Sequence, residues 1–474
     1  MNPEEKRALL KRLLAERAAA GVGDYPLTHG QRALWFLQQL VPDTYAYNIV
    51  LALRFQPSVD LSALQRAIDR LVARHPALRT VFPAVEGQPL QRVLPPSPVP
   101  LPVVDMAGAS DDEVYRALVA EHQKPFFLAQ RAMNLVLFRR EEEDALLLDM
   151  HHIVVDAWSL DVIFSDLHAL YEAELHHRQV ELQPVRARLS ESASAEAELL
   201  SSARGEALWQ YWSNTLGGDL PALAITPDNP VSGSAALAGA SVPFAFTNEL
   251  SSAIHALAKS RGTTIYAIML VTTQMLVYRL SGESDVIIGT PIALRAAPEL
   301  ADVVGYYVNT LPVRGAVRGG DTFASLLDLA REQLIAALDH QEYPFSMLVD
   351  RLQVRRDSGR NPIFQVMLNV LVSSRASALW RSFGNIERQS VSFGSSRVTP
   401  YVLPQQDGQF ALTIEVIERE GALSGNLRYQ TALYSEDRAT EIRDAFIALL
   451  AGAIANPNAC AADVVIPTRE QFEL

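Results

Sequence analysis

Two adjacent histidines, His151 and His152, close an apolar run, and an acid, Asp156, follows four positions after the second. Imidazole is the side chain best matched to moving a proton near neutral pH. The approach from Ala145 to His151 predicts a buried strand, because Leu146, Leu147 and Leu148 leave almost no polar face. Strand alternation sends Met150 and His152 to one side, Asp149 and His151 to the other. Beyond the acid, Ser159 stands where it can cap a helix whose apolar positions Leu160, Ile163, Phe164, Leu167 and Leu170 keep the helical period. The pair therefore sits at a strand-to-helix turn that can present one imidazole to a cavity. A plainer reading makes one histidine packed and the other solvated. The doublet, the acid spacing and the strand context together favour the chemical reading.

The elements that position this turn belong to a chain of 474 residues, too long for one ordinary core, which predicts two domains. A hydrophobic content of 49 % and a charged content of 20 % are those of a globular protein. The formal net charge of −13 argues against a nucleic-acid partner, since phosphate binding needs a basic surface. One cysteine, Cys460, excludes an internal disulfide framework and a cysteine metal cluster, and fits a reducing compartment. No run of about 18 apolar residues predicts a membrane span. Charged residues from Glu4 to Arg12 interrupt any signal-peptide core. The expected location is cytoplasmic.

Along the chain, residues 3–20 predict an amphipathic lead-in or docking helix ended by Gly21-Val22-Gly23. Strand is expected over Tyr47–Phe55 and helix over Leu61–Arg74, broken before Pro76. Helix is expected again over Asp111–His122, with Met133–Arg139 a strand beside the histidine strand. Between about 178 and 235 the pattern fades into turn-rich sequence such as Ser190-Glu191-Ser192-Ala193-Ser194 and Pro227-Asp228-Asn229-Pro230, with one packed helix around Trp209 and Trp212. The second half repeats the grammar. Strand 241–247 is followed by helices 249–260 and 263–280, the latter capped by Thr263 or Thr264. Strands follow at Val286–Ala293, Tyr306–Val313, Ile363–Leu371 and Phe410–Ile417, with helices over Phe323–Asp339 and Asp437–Ala453. Two related lobes with one chemical centre where they meet is the organisation this implies.

An ordered set of motifs then carries a resemblance. They are Thr28 to Leu37, Arg74 to Phe82, His151-His152-x-x-x-Asp156, and Ile288-Gly289-Thr290-Pro291 leading to Arg295. Gly305-Tyr306-Tyr307-Val308-Asn309-Thr310-Leu311-Pro312, His340-Gln341-Glu342-Tyr343-Pro344-Phe345 and Arg356-Asp357-Ser358-Gly359-Arg360-Asn361-Pro362-Ile363-Phe364 follow. From Tyr25 to about Pro467 the chain resembles the condensation domain of nonribosomal peptide synthetases, and more distantly the chloramphenicol-acetyltransferase-like acyltransferases. The resemblance implies an α/β fold of two acetyltransferase-like lobes arranged as a V, with the active site at their interface. The boundaries expected are 1–24 for the lead-in helix, 25–180 for the N-terminal lobe and 181–235 for a connection. The C-terminal lobe takes 236–467, and 468–474 begins a linker to an adjoining adenylation domain.

The activity implied is amide formation between a donor acyl thioester and the amine of an aminoacyl thioester on a peptidyl carrier domain. His152 is then the active-site imidazole and His151 its support. Asp156 is expected to pair with Arg295 across the lobes, and Arg79 and Arg32 to be structural. Trp158, Ser159, Tyr307 and Asn309 are expected to line the substrate tunnel or meet the carrier arm, with a strand-end hydrogen bond as the other reading of Asn309. Ala157 replaces the family's usual glycine, where a methyl would narrow the tunnel. The segment before Trp209 lacks the family's Tyr-x-Asp-Tyr-Ala-x-Trp pattern. No cofactor is expected to be permanently bound and no metal is expected; a phosphopantetheine arm and coenzyme A would carry substrate. The start at Met1 after only a short helix, with Thr28-His29-Gly30-Gln31 and Asp339 to Phe345, resembles the starter subtype. That subtype N-acylates a first residue from an acyl-CoA or acyl carrier protein. The alternatives are an elongation domain with a peptidyl donor and a silent carrier-recruitment domain. Phosphate-loop, His-Glu-x-x-His and Gly-x-Ser-x-Gly motifs are absent from the sequence.

Overall fold

The histidine-bearing strand, Asp144–His151, is buried at every position, as its apolar run predicts. A computed structural model describes residues 22–185, 189–221, 225–228, 238–354, 361–372, 391–404 and 408–465. The strand pairs antiparallel with Asn48–Gln56 on one side and with Met133–Arg139, its expected neighbour, on the other. Six strands complete the sheet in the order Val391–Phe393, Ser396–Pro400, Asn48–Gln56, Asp144–His151, Met133–Arg139, Val103–Asp105. Alternation divides the histidine strand between two cores. Leu146, Leu148 and Met150 face a cluster with Ile68 and Leu71 of the Leu61–Arg74 helix and Ile163 and Leu167 of the Ala157–Leu175 helix. Ala145 and Leu147 face the smaller cluster under Val114 and Leu118 of the Asp111–His122 helix.

A second six-stranded sheet runs Gly239–Ala245, Ala422–Gln430, Leu412–Arg419, Val366–Val372, Asp285–Ala293, Val308–Ala316. Val366–Val372 is parallel to both of its neighbours. The Ile265–Ser281 helix is capped by Thr264, whose side chain accepts the Ala267 N–H, and it is buried over most of its length. An apolar run of that kind can only sit inside a core.

The chain is α/β in both parts, but the parts are not consecutive in sequence. One compact unit takes the described residues up to Ser201 together with Arg295–Val308 and 391–404. The other takes the described parts of 202–294, 309–372 and 408–465. Boundaries at 180 and 236 miss this interleaving, because strand pairing at a distance overrides sequence order. Ser396–Pro400 lies antiparallel to Asn48–Gln56, with Arg397 opposite Gln56 and Pro400 opposite Leu53.

The expected connection is also different. Leu189–Ser201 is a helix, including the serine-rich stretch expected to be turn-rich, and Ala203–Leu216 follows as another. Three alanines, three glutamates and three leucines in the first outweigh its serines, which are only middling helix formers. The expected lead-in helix, residues 356–360 of the last motif, 229–230 and the terminal linker lie outside the described residues. Among the described residues no helix is long and apolar enough to cross a membrane. No group of three or more His, Cys, Asp or Glu among them is placed to hold a metal ion.

Candidate active site

Between His151 and the helix beginning at Ala157 the backbone makes a tight turn. The His152 N–H donates to the Tyr47 carbonyl at 2.8 Å, and the Val154 N–H donates to the His151 carbonyl at 3.1 Å. Ile153, Val154 and Val155 are fully buried and anchor the turn in the core. The helix cap is Asp156, not Ser159: the carboxylate accepts the Ser159 N–H at 2.8 Å, placing Ser159 in the first turn. A carboxylate at that position accepts an orphan N–H and meets the positive end of the helix dipole.

The two histidines have separate tasks. His151 is wholly buried. The Ile153 N–H donates to its Nδ1 at 3.1 Å, so Nδ1 carries a lone pair and the ring proton lies on Nε2. Nε2–H donates to Gln38 Oε1 at 3.3 Å. Gln38 is turned that way because its own Nε2 donates to the Pro42 carbonyl at 2.9 Å. Burial, with the adjacent His152, pushes the His151 imidazole down to about 3, so it stays neutral.

In His152 the arrangement is reversed. Its Nδ1 lies 2.6 Å from the Val155 carbonyl, which can only accept, so Nδ1 carries the proton. Burial holds the ring below its ordinary range, against the opposing pull of that carbonyl and of Asp156. The neutral ring therefore presents Nε2 as a lone pair. The Tyr306 ring packs against it at right angles, with centroids 5.1 Å apart and planes at 87°.

Asp156 is the hub of a buried cluster. Arg295 Nη2 donates to its Oδ2 at 2.8 Å and to its Oδ1 at 2.9 Å, and the two side chains are each 2 % exposed. Arg295 also reaches the Leu300 and Val303 carbonyls at 2.8 and 2.7 Å and lies 4.5 Å over the Tyr307 ring. Ser159 Oγ bridges the cluster, accepting from Gly305 N–H at 3.1 Å and lying 2.7 Å from Asp156 Oδ1. The Tyr307 N–H donates to Asp156 Oδ2 at 3.2 Å. Segment 295–308 belongs to the same unit as the histidines, so this pair lies within one unit and not across the lobes.

The residues expected to line a tunnel are placed differently. Ser159 and Tyr307 are buried in the Asp156 cluster. Trp158 is partly exposed, with its Nε1 donating to the Ala301 carbonyl at 2.8 Å. Asn309, in the other unit, clips a turn: its Nδ2 donates to the Gln341 and Tyr343 carbonyls at 2.8 and 2.7 Å, and its Oδ1 accepts the Phe345 N–H at 3.0 Å. Ala157 is exposed, at the first helical position, where alanine carries no backbone strain. Arg79 is buried and donates to the Leu94 carbonyl, whereas Arg32 is exposed.

Residues not anticipated from sequence are Gln31, Gln38 and Tyr306. Gln31 is fully buried; its Nε2 donates to the Ile153 carbonyl at 3.3 Å and its side chain completes the Thr28 capping box. Gln31 and Gln38 stand seven apart on the buried face of the His29–Leu40 helix, beside Leu34 and Trp35. Two glutamines two turns apart on an apolar face were the available signal.

With this geometry in hand, comparison with known proteins is specific. A family model described as the condensation domain matches residues 22–474. Malpinin synthetase of Mortierella alpina is 33 % identical over 421 residues, covering 88 % of this chain. The phosphinothricin tripeptide synthetase PhsC of Streptomyces viridochromogenes is 32 % identical over 485 residues, covering 99 %. The chain spans only 5 % and 44 % of those two proteins. Among solved structures, a four-domain nonribosomal peptide synthetase bound to AMP and glycine shares the fold. Its TM-score is 0.86 at 21 % identity, over 96 % of this chain and 34 % of that one.

Proposed function

Because this chain belongs to the condensation-domain family, we propose that it forms an amide bond in nonribosomal peptide synthesis, with His152 as the catalytic imidazole. The amine of an aminoacyl thioester on a peptidyl carrier domain attacks the carbonyl of a donor thioester. A C–N bond forms, the C–S bond breaks, and the proton leaving the nitrogen passes to the departing sulfur. The observation that carries the reading is the His152 Nδ1–H bond to the Val155 carbonyl, which fixes the tautomer and leaves Nε2 as acceptor for that proton. A thioester is already activated, so alignment of two tethered substrates supplies the larger share. Positioning contributes roughly 7–11 kcal/mol, against a factor of about 10²–10⁴ for acid–base help. Asp156, Arg295 and His151 act by holding the turn, and touch no substrate in this reading. The phosphopantetheine arm enters as a substrate carrier, and the adjoining adenylation domain as a neighbour.

The finer reading is a starter domain that takes its acyl group from acyl-CoA or an acyl carrier protein. It is supported by Thr28-His29-Gly30-Gln31 and by Asp339 to Phe345. Mass spectrometry of a loaded acceptor carrier, incubated with a panel of acyl-CoAs, tests both levels. N-acylated product that falls at least tenfold with His152→Ala, most with weakly nucleophilic amines, is the expected outcome. Product only from a peptidyl carrier donor replaces the starter reading by elongation. No product from any thioester donor overturns amide formation.

A further inference from the structure

Tyr306 touches His152 from a position that is itself fixed on three sides. The preceding residue, Gly305, is held through its N–H to Ser159 Oγ and its carbonyl to Arg295 Nη2, at 3.1 and 3.2 Å. The following residue, Tyr307, is held through its N–H to Asp156. On the third side the ring meets Gly30: a Cβ built there would lie 2.8 Å from Tyr306 Cε1, closer than carbon atoms approach. Gly30 lies in the first turn of the His29–Leu40 helix and its φ is not positive, so backbone freedom does not explain the glycine. Close approach of the ring does.

We infer that Tyr306 is the positioning residue of His152, that the Asp156–Arg295 cluster acts on the imidazole through it, and that Gly30 is the gap its ring requires. The inference rests on the reading of His152 as the catalytic base. The Val155 carbonyl fixes one ring nitrogen, but a single hydrogen bond leaves the imidazole able to tilt about it. An aromatic ring packed at right angles limits that tilt. Among the described residues, the titratable side chains that act on the imidazole or pack against it include His151, Asp156 and Tyr306, and Tyr47 acts in turn on Tyr306. Burial keeps both phenols neutral through the working range, so the ring and not a phenolate acts here.

The test follows the C2 proton of His152 by NMR across pH, alongside kcat/KM, in Tyr306→Phe, Tyr306→Ala, Gly30→Ala and the Gly30→Ala/Tyr306→Ala pair. Tyr306→Phe keeps the ring and is expected within about twofold of the parent in both readouts. Tyr306→Ala lets more water reach the half-buried imidazole, moves its titration up toward the ordinary histidine value, and lowers kcat/KM roughly 10- to 100-fold, the scale of a small misplacement. Gly30→Ala is expected to lose as much, and to add nothing in the Tyr306→Ala background, where the collision is gone. Should Gly30→Ala alone not fold, recovery of folding in the double variant reports the same collision. An unmoved titration in Tyr306→Ala, or fully additive losses for the two sites, overturns the inference. A titration that moves while the rate stays unchanged keeps the positioning and removes His152 from the chemistry.

Discussion

Replacing Asp156 with alanine removes four kinds of contact at once, and their sizes can be worked separately. The carboxylate balances a guanidinium that is 2 % exposed, and orphaning a buried charge costs about 3–5 kcal/mol. It also caps the Ala157–Leu175 helix through the Ser159 N–H, worth about 1 kcal/mol. The Tyr307 N–H and Ser159 Oγ lose an acceptor as well, but Ser159 keeps the Gly305 carbonyl at 3.0 Å. The sum, roughly 4–6 kcal/mol, approaches the whole stability of a typical domain. Part returns, because the orphaned Arg295 still has the Leu300 and Val303 carbonyls, so the lower end is expected. Asp156→Asn separates the pieces: asparagine caps a helix as well as aspartate does, so the cap is kept while the charge and the Oδ2 acceptor facing Arg295 and the Tyr307 N–H are lost. Urea unfolding of the parent, Asp156→Asn, Asp156→Ala, Arg295→Ala and the Asp156→Ala/Arg295→Ala pair closes a cycle. A coupling of roughly 2–3 kcal/mol is expected. Amide formation by Asp156→Asn, assayed where it stays folded, should remain within about tenfold of the parent. A coupling near zero would refute the buried-pair reasoning, and a thousandfold loss in folded Asp156→Asn would place the acid in the chemistry.

His151 makes stability depend on acidity. Its folded imidazole is pushed down to about 3 from 6.5, so the contribution is intact above pH 6.5 and is lost as the unfolded chain takes a proton that the fold refuses. That is on the order of 3 kcal/mol between pH 7.5 and 4.5; in His151→Gln, urea midpoints at the two pH values should converge, and an unchanged gap would count against it. Asn309→Asp should unfold at lower urea than Asn309→Ala, because a carboxylate cannot donate to the Gln341 and Tyr343 carbonyls and sets its lone pairs against theirs; the reverse order would mean the clip is not formed. Ala157→Gly should cost no more than ~1 kcal/mol in thermal unfolding and leave turnover of bulky amines unchanged. Faster turnover would show that the exposed methyl narrows the approach.

Local rules made the histidine turn legible, and they failed where the chain returns from afar. Leu146 to Leu148 could only be a buried strand, and the period of Leu160 to Leu170 only a helix. No local rule says that Ser396–Pro400 borders Asn48–Gln56, or that segment 295–308 closes over the acid. The motifs were legible as types but not as tasks. Gly289 is a clear case: a Cβ there would collide with the Phe364 ring, so two motifs more than seventy positions apart are one packing contact. Asn309 and the turn it clips are of this kind too. The chemistry then narrows to one group. What distinguishes His152 from His151 is not residue type or neighbours in sequence, since both have those. It is which backbone group faces which ring nitrogen: an N–H at Nδ1 of the first, a carbonyl at Nδ1 of the second. The same imidazole becomes a strut in one case and, in the function proposed, the base in the other. Moving the turn by one residue would put one histidine in the other's place and carry the second out of the pair's two positions altogether.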